Sequence, residues 1–222
     1  FVLSFLWRKF LPNWLPKIYS FLVFLIILQG TLGALTVINM LSSLSVISHL
    51  LIAFIILITA IYVNQALINK AIDKNILWWK YLLSIPLSLT LVQSVIGVRL
   101  SSTWSAHLCL SMNQNCIVLN SHKLFAIPVF ISIISIILVS FLKFDLFKNN
   151  WKFLISAFLL LISQITLGVL SLKTNLNEPL IIISHQIVAS LMVATLSTLI
   201  FKNSSENLLI NSTKNNVILS FN

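Results

Sequence analysis

The 222-residue chain is 59% hydrophobic and only 8% charged, a balance that excludes a soluble globular domain. Its net charge of +10 invites a nucleic-acid surface, but such a surface needs Lys and Arg gathered on one water-facing patch. Here the basic residues stand at the ends of apolar runs, so no nucleic-acid partner is expected and membrane lipid takes that place.

Phe1 is not an initiator methionine, and "FVLSFLWRKFLPNWLPK" lacks a signal peptide's order of charge, apolar core and small-residue cleavage site. It reads as a cytoplasmic segment of an N-terminally truncated piece. A bilayer core about 30 Å thick needs roughly 20 apolar residues per helical span. Six stretches meet that requirement, at about 18–41, 46–68, 79–100, 119–142, 152–172 and 180–201. Eleven Lys and Arg flank the odd-numbered starts and even-numbered ends, against Arg99, Lys123 and Lys173 on the other side. The positive-inside rule then puts both termini in the cytoplasm. The expected fold is therefore an all-α integral membrane protein.

The first span carries "QGTLGALTV", and the second begins near "SHLLIA" with His49. The third carries "QSVIGVRL", and the fourth opens with "LNSHK" and His122. The fifth and sixth repeat the pattern in "SQITLGVLSL" and "SHQIVASL", with His185. One helical hairpin is thus used three times, and internal duplication in membrane proteins commonly builds a site between copies. In each odd span Gln29, Gln93 or Gln164 precedes Gly33, Gly97 or Gly168 by four residues, which puts both on one helical face. The glycines let a flat ring or another helix approach the backbone, and Gly30 with Ala34 adds a small-residue pair. The glutamines are suited to an interhelical hydrogen bond or to a propionate. Trp78, Trp79 and Trp151 read as anchors at the membrane interface.

A histidine inside a bilayer is costly, and each one alone is as well explained by a bond to a neighbouring helix. Three at equal depth, each near the outer end of an inward-running helix, suit a planar cofactor held from two helices. Iron in a porphyrin takes one imidazole on each face, and facing helices of a bundle can supply both. Cys109 and Cys116, the only cysteines, lie in the long outer connection, where an oxidising face favours a disulfide, with a redox-active pair as the alternative. His107 beside them reads as a solvated loop residue. Arg99 and Glu178, at outer helix ends, suit interfacial placement or the holding of propionates.

Taken together, "LQGTLGALTV…SHLLIA", "C-x6-C…LNSHK" and "SQITLGVLSL…SHQIVASL" resemble the heme A synthase family, from Trp7 to Phe201. The resemblance implies eight transmembrane helices in two four-helix halves, of which the six spans correspond to helices three to eight. On that pattern residues 1–70 are a remnant of the N-terminal half, 71–203 the C-terminal heme-binding bundle, and 204–222 a polar cytoplasmic tail. It implies oxidation of the C8 methyl of heme O to a formyl group, as an oxidoreductase of heme A biosynthesis serving cytochrome oxidase assembly. Water would be the oxygen source, and electrons would leave through the bound heme. It further implies heme b as cofactor, with His122 and His185 as axial ligands, and His49 as an axial ligand of substrate heme O. Heme O synthase and other oxidase assembly factors are the partners implied, a homo-oligomer is allowed, and the location is a bacterial-type plasma membrane or an equivalent energy-transducing membrane. The family's catalytic glutamate belongs to a helix preceding Phe1, since the chain contains no Glu-x-x-x-His or Glu-x-x-His. Its usual "GxxCPDWPxC" loop is reduced here to two cysteines. The competing possibilities are a bis-histidine b-type cytochrome that only moves electrons, and a transporter with helix-packing histidines.

Overall fold

Backbone amides in a bilayer core must bond within their own segment, so long apolar runs there become helices. The computed structural model describes residues 11–39, 42–68, 77–102 and 116–202. Six helices follow in order: α1 Leu15–Ile38, α2 Ser43–Ile68, α3 Leu77–Ser102, α4 Ile117–Leu142, α5 Phe144–Lys173 and α6 Pro179–Lys202. All six are long and apolar enough to cross a membrane, and the described residues contain no strand. The chain is an all-α integral membrane protein. Many hydroxyl side chains inside the helices are satisfied locally: Ser94, Ser140 and Thr198, among others, donate to the carbonyl four residues earlier.

Helices α3, α4, α5 and α6 pack as a closed ring, each against the next and α6 back against α3. Helices α4 and α6 therefore stand at opposite corners. The ring's interior is filled by Leu83, Ile133, Ile136, Leu154, Leu196 and their neighbours. Helix α2 lies over the seam between α3 and α6, touching both, and α1 packs on α2. The outward sides stay apolar, with Phe24, Ile26, Ile27 and Val37 exposed along α1. Helices apolar all round are what a lipid surround requires.

Two expectations need correction. Helix α5 begins at Phe144 rather than near 152, and only Lys143 separates it from α4. Its first turns carry Lys148 and Lys152, which lower the local hydropathy, but Leu146 and Asn150 are buried while the lysines stay on the other side. This segment is an amphipathic lead-in to the span. Trp79 is the second correction. It is 1% exposed and sits in the ring's core with Leu146, Leu154 and Leu199, so it is not an interfacial anchor. Trp78 and Trp151 remain half-exposed.

The connection from α5 to α6 is a tight turn in which Asn175 and Leu176 both have positive φ, 50° and 59°. Their amides cap the end of α5, Asn175 donating to Leu172 and Leu176 to Ser171. A left-handed leucine is disfavoured. Its side chain is held by packing with Leu100 at the end of α3 and Leu119 at the start of α4. Residues 1–10, 103–115 and 203–222 lie outside the described residues, and with them Cys109, His107 and the polar tail.

Candidate functional site

Each hairpin brings its glutamine, glycine and histidine into direct contact. Gln29 precedes the last residue of α1, Ile38, by nine positions; Gln93 precedes Ser102 by nine and Gln164 precedes Lys173 by nine. The histidines begin the return helices at a matching depth: His49 is seventh in α2, His122 sixth in α4 and His185 seventh in α6. Equal offsets on antiparallel helices put each glutamine opposite its histidine.

In the first hairpin the Gln29 amide donates to His49 Nε2 at 3.0 Å. In the third, the Gln164 amide donates to His185 Nε2, also at 3.0 Å. An amide NH2 group can only donate, so these contacts suit the tautomer in which Nε2 accepts. The middle hairpin differs. Gln93 Nε2 donates to the backbone carbonyl of His122 at 2.8 Å, and its distances to the ring nitrogens are longer, 3.2 Å to Nδ1 and 3.4 Å to Nε2.

The glycine lies one turn beyond the glutamine and leaves room for the ring. A Cβ at Gly33 would stand 3.1 Å from His49 Cε1, one at Gly97 3.1 Å from His122 Cε1, and one at Gly168 3.2 Å from His185 Cε1. Such approaches are tighter than ordinary carbon contacts, so the absent side chain is what admits the imidazole. At Gly30 an added Cβ would meet nothing within 4 Å, so the expected pair with Ala34 packs on no described helix. The repeated clasp was not foreseen from sequence as a Gln–His bond. The available signal was the pairing itself, three glutamines for three histidines.

Several buried polar atoms of the clasps have no partner among the described residues: Nδ1 of His49 and His185, and Oε1 of Gln29, Gln93 and Gln164. Buried orphans of this kind ordinarily mark a place for something else to bond. His122 and His185 stand on α4 and α6, at opposite corners of the ring of four helices. His49 belongs to the hairpin outside that ring. Cys116 immediately precedes α4. Arg99, in the last turn of α3, and Glu178, just before α6, are exposed near the same end as the clasps.

A family model described as COX15-CtaA, cytochrome oxidase assembly protein, matches residues 1–197. The chain belongs to the COX15-CtaA family. Comparisons with curated proteins and with solved structures return no match. Membership of the COX15-CtaA family gives the chain a role in cytochrome oxidase assembly, on the heme A side of that process.

Proposed function

We propose that this protein oxidises the C8 methyl of heme O to a formyl group, with His122 and His185 as axial ligands of a resident heme b. His49 is assigned to the substrate heme O. The observation that carries the reading is the recess at each histidine, where a glycine makes room for the imidazole ring. Neutral imidazole is the form that ligates iron. The unpartnered buried atoms around the rings, and the placement of His122 and His185 at opposite corners of one four-helix ring, fit a planar group held between them.

The residues have separable tasks. Gly97 and Gly168 set how close each ring lies to the helix in front of it. Gln164 fixes ring orientation at His185, as outer-sphere partners of metal-binding histidines do elsewhere, while the shortest bond of Gln93 goes to the backbone of His122. The apolar walls keep water from the interior. When bound, heme b would supply one-electron redox capacity for the electrons that leave the methyl group. Conversion of methyl to formyl takes one oxygen atom, from water in this reading, and releases four electrons and four protons. Glu178, an acidic residue whose exposure is described, sits just before α6. A carboxylate at the depth of the histidines is not among the described residues.

The remaining assignments follow from this reading. The clasped ends of the hairpins face the outer side of an energy-transducing membrane, of bacterial plasma-membrane type or its equivalent. Cys109 and Cys116 form a disulfide on that side. Heme O synthase and other oxidase assembly factors are the natural neighbours, as source of substrate and destination of product. The test is to supply heme O to membranes carrying the protein and to extract the hemes for mass analysis. Heme A is expected. Its absence from protein that is otherwise loaded with heme overturns the enzymatic reading in favour of a cytochrome that only moves electrons.

A further inference from the structure

The three clasps share one design, but they do not hold their imidazoles equally. Gln164 donates to the Nε2 lone pair of His185 at 3.0 Å, the same lone pair that an iron would take. Gln93 spends its amide on the carbonyl of His122 at 2.8 Å and stands farther from Nε2, at 3.4 Å. At Nε2, therefore, the contact on His185 is short, and the one on His122 is longer and shared with Nδ1, 3.2 Å away.

We propose that Gln164 is a displaceable latch on His185: its amide keeps the imidazole in the ligand-ready tautomer and yields the lone pair only as the second axial bond forms, so that His122 engages the iron first. This rests on the bis-histidine reading above. Two consequences of the contact argue for it. Donation from the amide suits the tautomer in which Nε2 accepts, so no tautomer change is needed at the moment of ligation. The same bond also satisfies a buried nitrogen that would be costly to leave bare in the apolar interior before heme arrives. The latch thus protects the heme-free bundle and adds a barrier to its loading. Gln29 holds His49 in the same way, at 3.0 Å, so the first hairpin follows the latched pattern. Gln164 is a positioning residue in this scheme, since it acts through His185.

The experiment mixes heme-free protein in detergent with heme b and follows the Soret band by stopped flow, alongside an equilibrium titration. For wild type, a fast first phase is expected, followed by slower appearance of the low-spin spectrum. In Gln164→Leu the slow phase should quicken and affinity should rise, each by about two- to tenfold, the scale of one neutral hydrogen bond. Gln164→Asn, whose shorter amide cannot span the gap, should behave like the leucine variant while keeping the site polar. Gln93→Leu should leave the slow phase within about twofold of wild type. Unchanged or slower loading in both Gln164 variants overturns the latch, as does an equal gain in Gln93→Leu. Failure of the underlying reading has a different signature: wild type would then give no low-spin spectrum, or His185→Ala would retain it.

Discussion

At the scale of single residues, the glycines decide where the imidazoles sit. A methyl group at Gly168 would come within 3.2 Å of His185 Cε1, so the ring would have to retreat by a few tenths of an ångström. That movement strains the 3.0 Å bond from Gln164 and shifts the ligating nitrogen. Gly168→Ala is therefore expected to cost about 1–3 kcal/mol, the usual range for overfilling a packed site, and to lower the heme retained on purification. Gly30→Ala is the matched control, because an added Cβ there meets nothing within 4 Å. It should leave heme content unchanged and, by removing a flexible residue from a helix interior, gain up to about 1 kcal/mol. Heme-to-protein ratio and thermal unfolding in detergent, measured on both variants, check the pair. Equal heme loss in the two would mean that helix flexibility, and not the recess, is what the glycines supply.

At the scale of helices, hydropathy made the six spans legible, and it failed where charge and burial coexist on one turn. Lys148 and Lys152 hid the start of α5 from a window that averages over all faces, although Leu146 and Asn150 in the same turns are buried. Trp78 and Trp79 show the same limit. Adjacent positions on a helix point about 100° apart, so two neighbouring tryptophans need not share the same surroundings. Trp79 is the one turned inward, against Leu146, Leu154 and Leu199. Composition could not choose between them, because the choice depends on where α5 and α6 pack. Trp79→Ala should leave a cavity and destabilise the bundle by about 3–5 kcal/mol. Trp78→Ala, at a site that is 41% exposed, should cost less than about 1 kcal/mol. Unfolding curves in mixed detergent would show the difference as a marked shift for the first variant and a small one for the second. The candidate site was partly legible for a related reason. The period of the repeat put Gln, Gly and His at matching depths, but it could not say that the amide of one hairpin arm bonds the imidazole of the other, nor that Gln93 turns to a carbonyl instead.

At the scale of the whole molecule, three similar hairpins do not make three equivalent sites. The hairpins of α3/α4 and α5/α6 close on each other, giving His122 and His185 a shared interior. Helix α2 packs over the α3–α6 seam from outside, so His49 belongs to a helix outside that ring. This asymmetry separates the consequences of removing each imidazole. If His122 and His185 hold one resident heme, alanine at either should abolish the low-spin spectrum, and the double variant should look no worse than the singles. Loss of one axial ligand already breaks the pair, so the two effects should be strongly non-additive. His49→Ala should leave that spectrum intact while conversion of supplied heme O falls by at least about tenfold, as expected when a single binding interaction worth more than 1.4 kcal/mol is removed. Absorption spectra and extracted-heme analysis on the same membrane preparations measure both properties together. A His49 variant that lost the low-spin heme as well would place all three histidines in one cooperative site, and would require α2 to reach into the ring across a seam that the present packing keeps closed.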